Sequence, residues 1–183
     1  MSAGSIDDLR RARRVLCFGV TGSGKSTLAA ALGERLGLPV TMIDELGWNP
    51  GWRQATDAEL DERVLPVLGR DTFVLDSVYG RHNAAALAVA DVIVALDYPR
   101  AISLARLIRR TARRIRTREL VCNGNVETLP RSLSRDSIIA WHVRSWASKR
   151  ERARRWHADA SAPPVLLLAR PRDAPALLAQ LER

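Results

Sequence analysis

Residues 19–27 read Gly-Val-Thr-Gly-Ser-Gly-Lys-Ser-Thr, and they stand directly behind the apolar run Val15-Leu16-Cys17-Phe18. A helix-forming run, residues 28–36, follows at once. Strand, glycine loop and helix in that order cradle the phosphates of a nucleoside triphosphate with inward-turned backbone N–H groups and the positive end of the helix. No other feature constrains the fold as tightly. It asks for a buried strand whose carboxyl end opens on a ligand.

Each loop position has a physical task. Gly19, Gly22 and Gly24 allow backbone conformations that a side chain forbids, and Thr21 and Ser23 complete the cradle between them. Lys25 brings a mobile ammonium to the β- and γ-phosphates, the Ser26 hydroxyl suits Mg²⁺, and Thr27 suits the neck of the loop or the α-phosphate. Only two of the chain's 29 basic residues are lysines, and one of them stands at this position. A plain glycine turn would need neither Lys25 nor Ser26.

The 183 residues suit a single α/β domain over 1–183. No apolar stretch is long enough to span a bilayer, and residues 1–14 are polar and then basic, unlike a secretory signal. Cys17 and Cys122 form neither a disulfide framework nor a metal spacing, and Cys17 reads as a core residue. These features predict a cytoplasmic protein. The net charge of +9 is concentrated: residues 100–155 hold sixteen basic and four acidic residues, a net +12. A polyanion-binding surface, a lid that handles phosphates, and solvated helix faces all fit that charge.

Solid apolar runs at 15–18, 40–43, 73–75, 92–96 and 165–168 read as strands buried on both faces of a parallel sheet. Helices are expected at 25–36, 57–68, 83–88, 100–116, 134–156 and 174–181, with a capping box of Thr56 and Glu59 on the second. Asp173 is expected to cap the last helix, and 121–130 reads as a loop. The alternation predicts a three-layer α/β/α domain with five strands.

Acidic residues follow the strands at the rim where ligands bind: Asp44 after the second, Asp76 after the third and Asp97 after the fourth. Asp76 fits a metal-assisting carboxylate and Asp44 one that orients an acceptor hydroxyl or acts as general base, with either able to contact the metal. Asp97 reads as a turn residue before Pro99. Arg106, Arg109, Arg110, Arg113 and Arg114 share one helical face. Arg106 and Arg110 are the expected lid arginines, closing over a transferring phosphoryl group. Trp48 and Trp52 flank a Pro-Gly turn and either wall an acceptor or pack the loop. Tyr79, Arg53 and Arg81 are further acceptor candidates. Trp141, Trp146 and Trp156 are expected to anchor the long helix to the core.

Taken together these residues resemble the adenylate-kinase-like P-loop kinases, and within them the group of DNA topology modulation proteins. The resemblance rests on the loop, on Asp44…Trp48-x-Pro50-Gly51-Trp52, on Val74-Leu75-Asp76-x-x-Tyr79, on Leu96-Asp97-Tyr98-Pro99-Arg100, and on the arginine helix that leads into Cys122-Asn123-Gly124-Asn125-Val126-Glu127. It implies a P-loop NTPase fold like that of the nucleoside monophosphate kinases, a parallel sheet ordered 2-3-1-4-5, a small helical lid over about 106–130, and binding of ATP and Mg²⁺. Asp44 at the end of the second strand resembles the kinases that phosphorylate a hydroxyl, such as shikimate and gluconate kinases. The expected activity is transfer of the ATP γ-phosphate to a nucleoside, nucleotide or hydroxylated metabolite by a monomer or homodimer. The alternative is an ATP-binding regulator or nucleic-acid-associated protein that uses the basic 100–155 segment.

Overall fold

Along the strand Arg14–Gly19 (β1) successive side chains enter two different hydrophobic layers. Val15 and Cys17 pack with Leu28 and Leu32, whereas Leu16 and Phe18 pack with Val64 and Trp156. A strand buried on both faces belongs in the middle of a parallel sheet. The computed structural model, which describes residues 2–181, has that arrangement. Met1, Glu182 and Arg183, which the expected domain includes, lie outside the described residues.

The other sheet strands are Val40–Thr41 (β2), Phe73–Leu75 (β3), Val92–Leu96 (β4) and Val165–Leu168 (β5), all parallel to β1. Their spatial order is β2-β3-β1-β4-β5, so the implied order 2-3-1-4-5 holds. The helices are Ile6–Arg11 (α1), Lys25–Leu36 (α2), Ile43–Gly47 (α3), Asp57–Leu68 (α4), Asn83–Val89 (α5), Arg100–Thr117 (α6), Leu129–Ser132 (α7), Ile138–Ala158 (α8) and Asp173–Leu181 (α9). Leu9 of α1, Leu32 of α2 and Leu177 of α9 cover one face of the sheet. Val64 of α4, Ala86 of α5 and Trp156 of α8 cover the other. The result is the expected three-layer α/β/α fold. No helix among the described residues is long and apolar enough to cross a membrane.

Several local expectations are corrected. The second strand stops at Thr41, and the chain turns into α3, so Asp44 lies in the first turn of a helix. The Asp76 carboxylate favours that turn by accepting the Ile43 N–H at 2.8 Å. The helix expected from 134 begins at Ile138, because the Ser137 hydroxyl caps it by accepting the Ala140 N–H at 3.1 Å. The loop expected at 121–130 contains an antiparallel ribbon, Leu120–Val121 with Asn125–Val126, and the start of α7. A second ribbon joins Trp48–Asn49 to Arg53–Gln54. Asp173 opens α9 as its first residue, and its carboxylate accepts the Arg170 N–H at 2.7 Å.

The tryptophans of α8 divide. Trp156 packs edge-on against Phe18 at 4.5 Å, and the Trp146 indole N–H donates to the Tyr98 carbonyl at 3.4 Å. Trp141 is 47% exposed and anchors nothing. It lies five residues before Trp146, about 140° round the helix and off the packed face. Asp97 also differs from expectation. It is a buried carboxylate, not a turn residue, and it binds Arg150 Nε at 2.6 Å and Arg154 Nε at 2.9 Å. These two bonds clamp α8 to the carboxyl end of β4.

Candidate active site

Beyond Gly19 the chain makes its glycine loop against α6. A Cβ at Gly22 (φ 81°) would collide with the Ser103 carbonyl and come within 2.8 Å of Leu107 Cβ. Gly24 (φ 100°) takes the left-handed conformation that starts α2. Ser23 is buried, with its hydroxyl unpartnered, and its carbonyl accepts from Arg106 Nη1 at 3.3 Å. Thr21 is half-buried in the loop and Thr27 is exposed on the first turn of α2. The Lys25 ammonium reaches back to the Val20 carbonyl at 3.3 Å. Burial lowers its pKa, with Asp44 and Asp76 pulling the other way. An ammonium in that position gains from an incoming anion.

The Ser26 hydroxyl donates to Asp76 Oδ2 at 2.6 Å, and Asp76 is almost fully buried. Two hard oxygen donors thus lie side by side, while no cluster of three or more His, Cys, Asp or Glu suited to a metal occurs among the described residues. Such a donor pair fits an Mg²⁺ ion that keeps phosphate oxygens and water as its other ligands. It does not fit a dedicated protein cage.

Asp44 is the electrostatic centre of the site. Its side chain meets solvent, yet enough protein surrounds it that desolvation raises its pKa. Lys25, Lys149 and Arg110 oppose that rise and Asp76 adds to it. Tyr79 and Cys122 feel the same carboxylate. Burial, then Asp44, lifts the Tyr79 phenol well above its usual range and the Cys122 thiol to about 11. Tyr79 packs its hydroxyl onto Gly47 of α3 and lies 3.5 Å from the Ile43 carbonyl. The loop, α3, β3 with its following turn, α6, α8 and the 120–126 ribbon all converge here.

The arginine face of α6 splits by partner. Arg106 stays at the loop, with its guanidinium 5.5 Å from the Tyr98 ring centre. Arg110 points into the cluster. Its Nε is buried without a hydrogen-bond partner, and burial, then Arg114, lowers its pKa while Glu127 and Asp44 pull upward. Arg113 and Arg114 bind Glu119 at 3.0 and 3.3 Å, and Arg114 also binds Glu127 at 3.2 Å. Arg109 is exposed. Arg106 and Arg110 are therefore the members of the face that the fold leaves at the site.

The acceptor candidates separate similarly. Trp48 and Trp52 meet edge-to-face at 5.6 Å, with the Arg131 guanidinium over both rings. Arg53 binds Glu59 at 2.9 Å, and Arg81 binds Asp57 and, at 2.8 Å, Asp61. Both arginines are engaged by the acidic N-terminal half of α4, not by the loop.

Sequence reasoning passed over Lys149. It lines a cleft with Gly19, Val20, Leu96, Tyr98 and Trp146, one turn from the Trp146 anchor and next to the Arg150–Asp97 clamp. Burial, then Lys25, lowers its pKa to about 8. A signal was present: in a chain that uses arginine almost throughout, the only other lysine is here.

No family model matches the chain, and no curated protein matches it. Among solved structures it is similar to a gluconokinase from Sinorhizobium meliloti 1021, at 18% identity over 92% of each chain, with a TM-score of 0.52. It is also similar to a deoxyadenosine kinase from M. mycoides with bound dCTP, at 15% identity over 91% of this chain and 97% of that one, with a TM-score of 0.53. Identities this low show a shared three-layer α/β/α fold alone.

Proposed function

We propose that the protein is an ATP-dependent phosphotransferase that moves the γ-phosphate of ATP to a small acceptor, a nucleoside, nucleotide or hydroxylated metabolite. The observation that carries this reading is the convergence of Lys25, Asp44, Asp76, Arg110 and Lys149 at the carboxyl edge of the sheet, directly against the glycine loop. In this reading residues 1–183 form one domain with a lid over about 106–130. The likeness to DNA topology modulation proteins rests on the residue patterns alone and names no acceptor.

The glycine loop and Lys25 bind the triphosphate, and Arg106 and Arg110 approach it from α6. Bound Mg²⁺, held by Ser26 and through Asp76, would neutralise charge on the β- and γ-phosphates. Asp44 orients the acceptor hydroxyl. The acceptor oxygen bonds to the γ-phosphorus while the bond to the β–γ bridging oxygen breaks, and that oxygen leaves on ADP with the electron pair. The hydroxyl proton passes to an Asp44 carboxylate oxygen, whose raised pKa suits it to accept one. Arg53 and Arg81, bound to Glu59 and Asp61 of α4, stand on the acceptor side in this reading.

The nucleic-acid reading is weaker because Arg113, Arg114, Arg150, Arg154 and Arg155 are matched by carboxylates within the fold. The deciding experiment follows ADP formation from ATP·Mg²⁺ against pooled nucleosides, nucleoside monophosphates and polyols. Wild type is compared with Lys25→Ala and Asp44→Asn. Acceptor-dependent turnover, reduced about 10²–10³-fold by Lys25→Ala, supports the reading. ATP binding without turnover in any pool overturns it.

A further inference from the structure

The phosphotransfer reading leaves the acceptor's chemistry open, and the 120–126 ribbon narrows it. Its tip, Cys122-Asn123-Gly124, is left-handed at three successive residues, with φ of 42°, 64° and 81°. Backbone of that kind costs about 1–3 kcal/mol per non-glycine residue and persists only where its surroundings fix it. The tip is fixed on the Trp48–Trp52 segment. Asn123 Nδ2 donates to the Glu45 carbonyl at 2.6 Å and to the Trp48 carbonyl at 2.7 Å. Asn125 Nδ2 donates to the Asn49 carbonyl at 3.0 Å and its Oδ1 accepts the Trp52 N–H at 2.6 Å. Trp52, itself at φ 58°, donates its indole N–H to the Val126 carbonyl at 2.9 Å.

This clasp uses up the aromatic pair. Trp48 and Trp52 stand at 80° to each other, and the Arg131 guanidinium lies 4.6 Å from one ring centre and 5.8 Å from the other. A base–aromatic stack gains about 1–3 kcal/mol, but here a base must first displace Arg131 or part the indoles. The groups that share Asp44's field are of another kind: two ammonium groups, the Arg110 guanidinium, a phenol and a thiol. They suit hydroxyl and anionic groups, and the clasped ribbon tip brings Cys122 to the same place.

We propose that the acceptor is a small, non-aromatic polyhydroxylated molecule bound at Asp44 beside the 120–126 ribbon, and that nucleosides and nucleotides are not acceptors. This rests on the phosphotransfer reading and uses its step: a carbinol oxygen takes the γ-phosphoryl group, ADP leaves with the electron pair, and Asp44 receives the proton. The clasp and the Arg131 contact engage the Trp48–Trp52 pair, so a planar acceptor has to compete with them to stack there.

The test measures ADP release by the full chain with ATP·Mg²⁺ and separate sets of linear polyols, aldoses, sugar acids, nucleosides and nucleoside monophosphates. The inference expects a member of the first three sets to exceed every nucleoside and nucleotide at least 100-fold in kcat/KM. A preferred nucleoside or nucleotide overturns it and leaves the kinase reading standing. Turnover with none of the sets fails the kinase reading. The acceptor class is then read from thermal shifts with a non-hydrolysable ATP analogue. Stabilisation by a polyol, aldose or sugar acid that is lost in Asp44→Ala sustains the ligand class at Asp44 without the transfer step. Stabilisation by a nucleoside, or by no compound at all, overturns it.

Discussion

The Ser26 hydroxyl and the Asp76 carboxylate meet at 2.6 Å, and the second oxygen of that carboxylate holds the Ile43 N–H at 2.8 Å. One buried side chain thereby ties the glycine loop to the helix that carries Asp44. The loop and α3 cannot shift independently without breaking one of these bonds.

Asp76→Asn retains an oxygen for the Ile43 N–H but removes the charge beside Ser26. The fold should survive, with thermal unfolding close to wild type, while turnover falls about 10²–10³-fold. Titrating Mg²⁺ in both proteins checks it: the variant should need a higher Mg²⁺ concentration for half-maximal activity. An unchanged Mg²⁺ requirement would remove Asp76 from the metal's surroundings.

Asp44 carries a sign that separates function from stability. Its folded pKa lies above the usual carboxylate value, so at neutral pH the charged form is disfavoured in the folded state. Asp44→Asn should therefore raise the unfolding temperature at pH 7. That gain should shrink as pH falls through the raised value and vanish below the unfolded value of 3.8. The same change should lower kcat about 10²–10⁴-fold with little effect on ATP affinity. Melting curves from pH 3 to 7 and a kcat–KM pair check both halves.

Lys149 should contribute to ATP affinity through its charge. With a free-protein pKa of about 8 that phosphate binding raises, the complex holds more proton than the free protein above that pH. Affinity should thus fall as pH rises through about 8. In Lys149→Met the affinity should be about 10–100-fold weaker at pH 7, the size of a charge-assisted hydrogen bond, and flatter with pH. Calorimetric titration with ATP between pH 7 and 9.5 reads both effects.

Removing both Arg150 and Arg154 side chains by alanine substitution leaves the Asp97 carboxylate, 2% exposed, without its partners. Stranding one buried charge costs about 3–5 kcal/mol. Urea denaturation should show a loss in that range. Adding Asp97→Leu to the double variant should recover most of it, because the desolvated charge is then gone.

Much of the fold was legible because its signals are local. Strand β1 and the loop behind it, the five apolar runs, and the capping box of Thr56 and Glu59 each depend on neighbours in the chain. Backbone conformation and hydrophobic period act over a few residues, so the sequence carries them openly. Lys25, Ser26, Asp44, Asp76, Arg106 and Arg110 stood out as candidates by such signals, each at a strand end or on a patterned helix, and the fold gathers them around the glycine loop.

What the chain order could not reveal are the pairings across it. Whether an arginine is free or matched depends on which carboxylate folding brings within about 4 Å, and nothing in its own segment records that. Arg81 meets Asp61 twenty residues away and Arg150 meets Asp97 more than fifty away, while Arg110 meets no acceptor for its Nε. By the same logic the tryptophan pair became part of a clasp with Asn123, Asn125 and Arg131. Lys149 reached the glycine loop from a helix more than a hundred residues downstream. The sequence by itself determined the layers, the strand order that its motifs imply, and the glycine loop between β1 and α2. Tertiary structure decided which charges remain available there, because desolvation and ion pairing are set by distances in space and not by positions along the chain.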